Sequence, residues 1–175
     1  MSIQILDNYF SFNQQNFIYN YCRNSNFKIG WEDSDDLDKQ NYKSIHSPFT
    51  YDEYVESGLK EGVDKISKLN AKPANVVINL TKPGDVHIPH THNGQVVLLY
   101  YVNLEWQSHW AGETLFYDNE CKEVIKTSIY QPGRIILFDG EIPHTIRPQT
   151  YNGPQFRFTA SVFFNKSTLD SNFKL

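Results

Sequence analysis

The sequence predicts a mainly β (α+β) fold, a barrel or sandwich of short strands with helices packed on one face. Three observations carry that expectation. Aromatic residues make up 15% of the chain, with 12 Phe, 11 Tyr and 3 Trp; such side chains favour strands and fill wide cores. From Asn75 onward, short β-branched and aromatic runs alternate with Gly, Pro and Asn, as strands alternate with turns. Ahead of that point the chain carries helix-start signals instead. One domain over 1–175 is therefore expected, with helical support over 1–73 and a β core over 74–165.

The elements follow in order. Ser11-x-x-Gln14 reads as a capping box, and Phe17, Ile18, Tyr21 and Cys22 then share one face at helical spacing. Residues 25–49 are polar and irregular, with the acidic run Glu32-Asp33-Ser34-Asp35-Asp36. Such a run reads as a solvated loop, or as a lid over a site. Thr50-x-x-Glu53 is a second capping box, and Tyr54, Val55, Leu59, Val63, Ile66 and Leu69 continue one apolar stripe until Lys72-Pro73 ends it. Strands are expected at 75–80, 95–103, 114–117, 124–128, 134–138, 144–147 and 156–164, and the tail 165–175 is expected to fray.

Composition excludes several classes. A net charge of −4 argues against nucleic acid as the main partner. Two cysteines in unrelated contexts, Cys22 and Cys121, form neither a disulfide framework nor a thiolate cluster, and suit a reducing, cytoplasmic setting. The N-terminus lacks the pattern of a signal peptide, and no run of apolar residues is long enough for a membrane span.

Six histidines occur, and their placement points to a metal. In His90-Thr91-His92 two imidazoles are two residues apart, which puts them on one face of an extended chain. His144, after the apolar run Ile135-Ile136-Leu137-Phe138, is the candidate third ligand. Seen alone, an H-x-H pair is as often two surface histidines, and a histidine after a strand is more often structural. Together they suit one cation held by two strand-borne stretches, and neutral imidazole accepts Fe, Zn, Cu or Ni. His87 reads as a neighbour of the site or a surface residue, and His46 and His109 as lying outside it. On the last strand Arg157, Thr159 and Ser161 alternate with Phe156, Phe158 and Val162. That polar face is solvent-facing in a plain sandwich and interior in a barrel that holds a site. Arg157 offers an always-charged fork that matches a carboxylate, and Tyr101 reads equally as a core tyrosine with a wet tip.

The run His90-Thr91-His92, Leu99-Tyr100-Tyr101-Val102-Asn103-Leu104-Glu105-Trp106, Gly112-Glu113-Thr114-Leu115-Phe116, Pro132-Gly133-Arg134-Ile135-Ile136-Leu137-Phe138, Pro143-His144 and Arg157-Phe158-Thr159 resembles the 2-oxoglutarate/Fe(II)-dependent oxygenases of the prolyl 4-hydroxylase-like branch. The resemblance spans about residues 84–164, and rests on the order and spacing of the pieces. It implies a double-stranded β-helix (jelly-roll) core. It also implies a dioxygenase that uses Fe(II), 2-oxoglutarate and O2 to hydroxylate a C–H bond of a peptide or small-molecule substrate, with decarboxylation to succinate. His90 and His144 match the family's iron-binding histidines. Arg157 matches the arginine that pairs with the far carboxylate of 2-oxoglutarate, Tyr101 the tyrosine that bonds it, and Thr159 would lie near it.

One departure matters. The family has Asp where this chain has His92, which is read as a third imidazole ligand. The alternatives are a position filled by water or an anion, or a nearby carboxylate such as Asp139 or Glu141. Three neutral imidazoles leave Fe(II) at +2, which a 2-oxoglutarate dianion would neutralise; the change bears on affinity, redox tuning and metal choice. Trp106, Trp110 and Tyr117 are read either as a substrate mouth or as aromatic core. A different class stays open: Gly84-x5-His90-x-His92 fits the first half of the cupin metal motif. That reading gives a three-His metalloprotein, a 2-oxoglutarate-independent dioxygenase or an isomerase, although the cupin glutamate is absent where Val96 and Val97 stand.

Overall fold

The computed structural model describes residues 2–31, 44–66, 69, 71–171, 173 and 175; the acidic run 32–36 lies outside them. Among the described residues, ten strands form two antiparallel sheets. The larger has the order β1-β8-β5-β10-β4-β3-β2, and the smaller β7-β6-β9. In chain order the strands are β1 (Ile3–Leu6), β2 (Lys28–Trp31), β3 (Ser44–Pro48), β4 (Asn75–Thr81), β5 (Gln95–Tyr101), β6 (Thr114–Tyr117), β7 (Val124–Ser128), β8 (Ile135–Asp139), β9 (His144–Ile146) and β10 (Arg157–Asn165). A bridge between His90 and His144 extends the smaller sheet beyond β9. This is the double-stranded β-helix.

The central strands are buried on both faces, so alternation along them separates two cores rather than core from solvent. Val96, Leu98 and Tyr100 of β5, Ile135 and Leu137 of β8, and Phe158, Ala160, Val162 and Phe164 of β10 face the helices. Val97, Leu99 and Tyr101, Ile136 and Phe138, and Phe163 face the smaller sheet. Arg157, Thr159 and Ser161 share the inward face of β10 with Phe163, and the alternating polar residues of this strand are interior.

Three helices back the larger sheet: α1 (Phe12–Arg23), α2 (Tyr51–Glu56) and α3 (Leu59–Asp64). Both capping boxes form as the residue types dictate, Ser11 with Gln14 and Thr50 with Glu53. The expected long helix from Thr50 breaks in two at Gly58, which sits at φ 79° in the left-handed region and ends α2 as glycine commonly does. Ile18 and Cys22 are buried as expected, but Phe17 and Val55 are exposed; the buried stripe is narrower than the apolar one.

The first part of the chain is not purely helical. β1 pairs with β8, and β2 and β3 continue the sheet beyond β4, because pairing partners far along the chain override a polar local sequence. The tail also departs from expectation: Leu169, Phe173 and Leu175 pack against the core. Among the described residues, no helix is long and apolar enough to cross a membrane.

Candidate metal centre

His90 lies in the loop between β4 and β5, and His144 opens β9. The bridge between them is reciprocal, each backbone N–H donating to the other's carbonyl at 3.0 Å. His92 is set from the other side, where its N–H donates to the carbonyl of Gly140 at 2.7 Å. A Cβ on Gly140 would stand 2.4 Å from the His92 carbonyl oxygen and 2.8 Å from that of Gln95. Only glycine lets the β8–β9 turn approach the H-x-H segment this closely.

The result is a cluster. One ligand nitrogen from each of His90, His92 and His144 lies within 4.8 Å of the others. Phe163 meets His92 edge-on at 4.8 Å and Phe138 meets His144 at 4.7 Å, which limits ring rotation.

The tautomers of two rings follow from their partners. Nδ1 of His90 is 3.1 Å from the carbonyl of Ile88, and Nδ1 of His144 is 2.9 Å from that of Ile142. A carbonyl only accepts, so both Nδ1 atoms carry a proton, which leaves Nε2 of each ring as the atom that can take a metal. Burial holds the His144 pKa well below the usual imidazole range, with the nearby His90 and His92 pushing it the same way. Neutral imidazole is the form that ligates a metal.

Two nearby carboxylates considered as a ligand, those of Asp139 and Glu141, are engaged with other groups. Asp139 and Glu141 both pair with Lys166, at 2.8 and 2.9 Å, and Asp139 also accepts from the Glu141 N–H.

The histidines open on a cavity between the sheets, partly open to solvent. Its walls include Ser44, Asn79, Thr81, His87, Thr114, Thr145, Thr159 and Ser161. None of the described lining residues is Asp, Glu, Lys or Arg. His87 thus lies beside the cluster without joining it. His46 and His109 do not line the cavity.

Arg157 sits beyond the polar end of this cavity, 1% exposed. Its Nε donates to the carbonyl of Gly112 at 3.1 Å, and its guanidinium carbon is 4.7 Å from the Tyr130 ring centroid and 5.6 Å from that of Tyr101. Nη1 and Nη2 are buried with no hydrogen-bond partner among the described residues. Burial lowers the Arg157 pKa, opposed by Tyr130, Tyr101 and Glu113. A buried cation with two unanswered donors is costly unless an anion meets it.

Tyr101 crosses the barrel to the smaller sheet. Its hydroxyl donates to the Ser128 carbonyl at 3.1 Å and is 2.7 Å from the Thr114 hydroxyl. Trp106 and Trp110 do not line the cavity. Trp106 packs on Tyr130 at 4.2 Å and on Trp110 at 5.7 Å, behind the guanidinium, and Tyr117 is likewise absent from the cavity wall. Trp106 and Trp110 pack on each other, and Trp106 on Tyr130, rather than on the cavity. Thr81 and Gly140 had no signal in the sequence: their places depend on strand pairing and on a turn meeting a distant loop.

No protein-family model and no curated protein matches this chain. Solved structures do. A prolyl hydroxylase from Trichoplax adhaerens, in complex with a peptide fragment of the hypoxia inducible factor oxygen degradation domain, superposes with a TM-score of 0.67 at 19% identity, over 95% of this chain and 84% of that one. A Pseudomonas putida prolyl-4-hydroxylase gives 0.63 at 14%, over 93% and 92%. HygX from Streptomyces hygroscopicus, with nickel and 2-oxoglutarate bound, gives 0.64 at 6%, over 92% and 81%. At these identities the shared property is the fold: the chain has the double-stranded β-helix seen in prolyl hydroxylases and 2-oxoglutarate-binding proteins.

Proposed function

We propose that this protein is a 2-oxoglutarate- and Fe(II)-dependent dioxygenase of the prolyl-hydroxylase type. The observation that carries the reading is the pairing of two features in one barrel. Three imidazoles converge at one end, and a buried guanidinium with two unanswered donors stands at the other. A metal alone would leave Arg157 unexplained; a metal plus a dicarboxylate explains both.

In this reading His90, His92 and His144 hold the metal, and His92 stands where the family has a carboxylate. The donor set fits: two rings present Nε2 with Nδ1 tied to a carbonyl. Three neutral ligands leave the charge of a divalent ion for an anionic cosubstrate to balance. Bound there, Fe(II) supplies the redox chemistry by which O2 decarboxylates 2-oxoglutarate to succinate and hydroxylates a C–H bond. The protein's own contribution is placement. Arg157 and Thr159 hold the far carboxylate and Tyr101 closes that end of the barrel. Phe138 and Phe163 keep two ligand rings in register, and the apolar wall of Val97, Leu99 and Phe163 excludes water from the reacting centre.

The substrate proposed is a peptidyl residue, by likeness to the peptide-bound prolyl hydroxylase, with a neutral small molecule as the alternative. Val86 and Ile88, exposed on the segment that leads to His90, form an apolar rim for it. The free cysteines Cys22 and Cys121 suit a reducing, cytoplasmic setting, in which ferrous iron persists.

The all-imidazole set is the one observation that favours the alternative, a cupin-type three-His metalloprotein. A single experiment separates the two. The Fe(II)-reconstituted protein is incubated with 2-oxoglutarate and O2, and succinate is followed by NMR. Slow succinate formation that the Arg157→Met variant abolishes, at unchanged iron content, is the expected result. An iron-loaded protein that neither binds nor consumes 2-oxoglutarate overturns the proposal.

A further inference from the structure

The polar end of the cavity, next to the arginine, has unanswered donors of its own. Thr81 ends β4 directly opposite Arg157 on β10, and Thr159 pairs with Asn79 one step further in. Paired residues on neighbouring antiparallel strands project to the same face, and Thr81 and Thr159 both line the cavity. Thr81 is 5% exposed and Thr159 0%. Neither hydroxyl has a hydrogen-bond partner among the described residues. Buried hydroxyls are ordinarily satisfied, so the orphaned hydroxyls of Thr81 and Thr159 in the cavity wall, together with Nη1 and Nη2 of Arg157 at the strand position paired with Thr81, ask for a common acceptor.

Tyr101 does not answer that need directly. A phenol has one proton, and Tyr101 shares it within its cluster with the Ser128 carbonyl and Thr114. An ionised carboxylate has two oxygens with about four acceptor sites and takes a two-point arginine. The number of orphaned groups therefore matches one carboxylate.

We propose that Thr81 is a carboxylate-recognition residue of this cavity, donating with Arg157 and Thr159 to the far carboxylate of the oxo acid, while Tyr101 is a positioning residue behind them. The proposal rests on the 2-oxoglutarate reading and adds to it a determinant of selectivity. A 2-oxo acid without a second carboxylate makes no bond to the Thr81 hydroxyl, so removing that hydroxyl costs it nothing. The chain thus selects dicarboxylic over monocarboxylic oxo acids in part through Thr81.

The test is binding, not turnover. Mn(II)-loaded protein, kept anaerobic, is titrated calorimetrically with 2-oxoglutarate and separately with 2-oxobutanoate, which lacks the far carboxylate. Thr81→Val preserves shape and strand preference and removes the donor; Thr81→Ser retains it. The expected result is that Thr81→Val weakens 2-oxoglutarate about tenfold or more, the loss typical of a hydrogen bond to a charged group. It leaves 2-oxobutanoate within about twofold, and Thr81→Ser restores most of the loss. If the valine variant does not fold, Thr81→Ala is read in the same way. Equal weakening of both oxo acids, or no change in either, overturns the role of Thr81 and leaves the 2-oxoglutarate reading intact. A wild-type protein that binds metal and no 2-oxoglutarate overturns both.

Discussion

Gly140 is the point at which a single methyl group should disturb the metal centre without touching a ligand. A Cβ there would lie 2.4 Å from the His92 carbonyl oxygen, 2.8 Å from that of Gln95 and 3.0 Å from the His92 Cβ. The first contact must open by 0.6 Å (3.0 − 2.4) to reach the shortest spacing that Cβ atoms tolerate. Both nearest atoms are backbone, so no side-chain rotation relieves them. Opening the gap stretches two hydrogen bonds, His92 N–H to the Gly140 carbonyl at 2.7 Å and Gly140 N–H to the Gln95 carbonyl at 2.9 Å. Overpacking costs about 1–3 kcal/mol and a weakened backbone hydrogen bond about 1 kcal/mol. Gly140→Ala should therefore lose about 2–4 kcal/mol and melt roughly 5–15 °C lower. The same shift carries His92 away from His90 and His144, so metal stoichiometry after anaerobic Fe(II) loading should fall below that of the wild type. Gly94→Ala is the matched control: Gly94 has φ +71° and nothing within 4 Å of an added Cβ, so it should cost only the left-handed strain, about 1 kcal/mol. The reasoning fails if Gly140→Ala equals Gly94→Ala in melting temperature and holds a full complement of iron.

Three more predictions follow from the described contacts. Arg157→Met removes a buried cation whose two Nη atoms lack partners; by calorimetry the metal-free variant should melt no lower than wild type, while 2-oxoglutarate binding disappears. His144 has its pKa depressed by burial and then by its neighbouring histidines, so below about pH 6.5 the unfolded chain takes up a proton that the folded one refuses. The metal-free protein should lose about 1.4 kcal/mol per pH unit from this group as pH falls below that value, retaining the full contribution above it; urea titrations at several pH values check the slope, and His144→Gln should flatten it. Asp7 meets Arg134 in a two-point pair, at 2.9 and 3.0 Å, that ties the end of β1 to the start of β8. Asp7→Asn should cost about 1 kcal/mol at low salt in urea titrations, and less as salt rises; an effect independent of salt would discount the ion pair.

Local chemistry was enough to read much of this chain. Both capping boxes form because Ser11 and Thr50 carry the oxygen and Gln14 and Glu53 the return group. β6 and β7 span the residues their β-branched and aromatic runs predicted, 114–117 and 124–128. The H-x-H spacing and the histidine after an apolar strand sufficed to nominate the cluster. What sequence could not supply is pairing between distant segments. β2 and β3 form in a polar stretch because β4 offers them an edge, and Gly58 breaks a stripe that periodicity alone continues. Trp106 and Trp110 turn to packing because the guanidinium they back is buried. Whether Arg157 faced solvent or the barrel interior, whether Asp139 and Glu141 were free to bind a metal, and that Thr81 would stand opposite Arg157 were all decided by tertiary structure. A side chain's partners are set by which strands lie side by side, and that order is a property of the whole folded sheet.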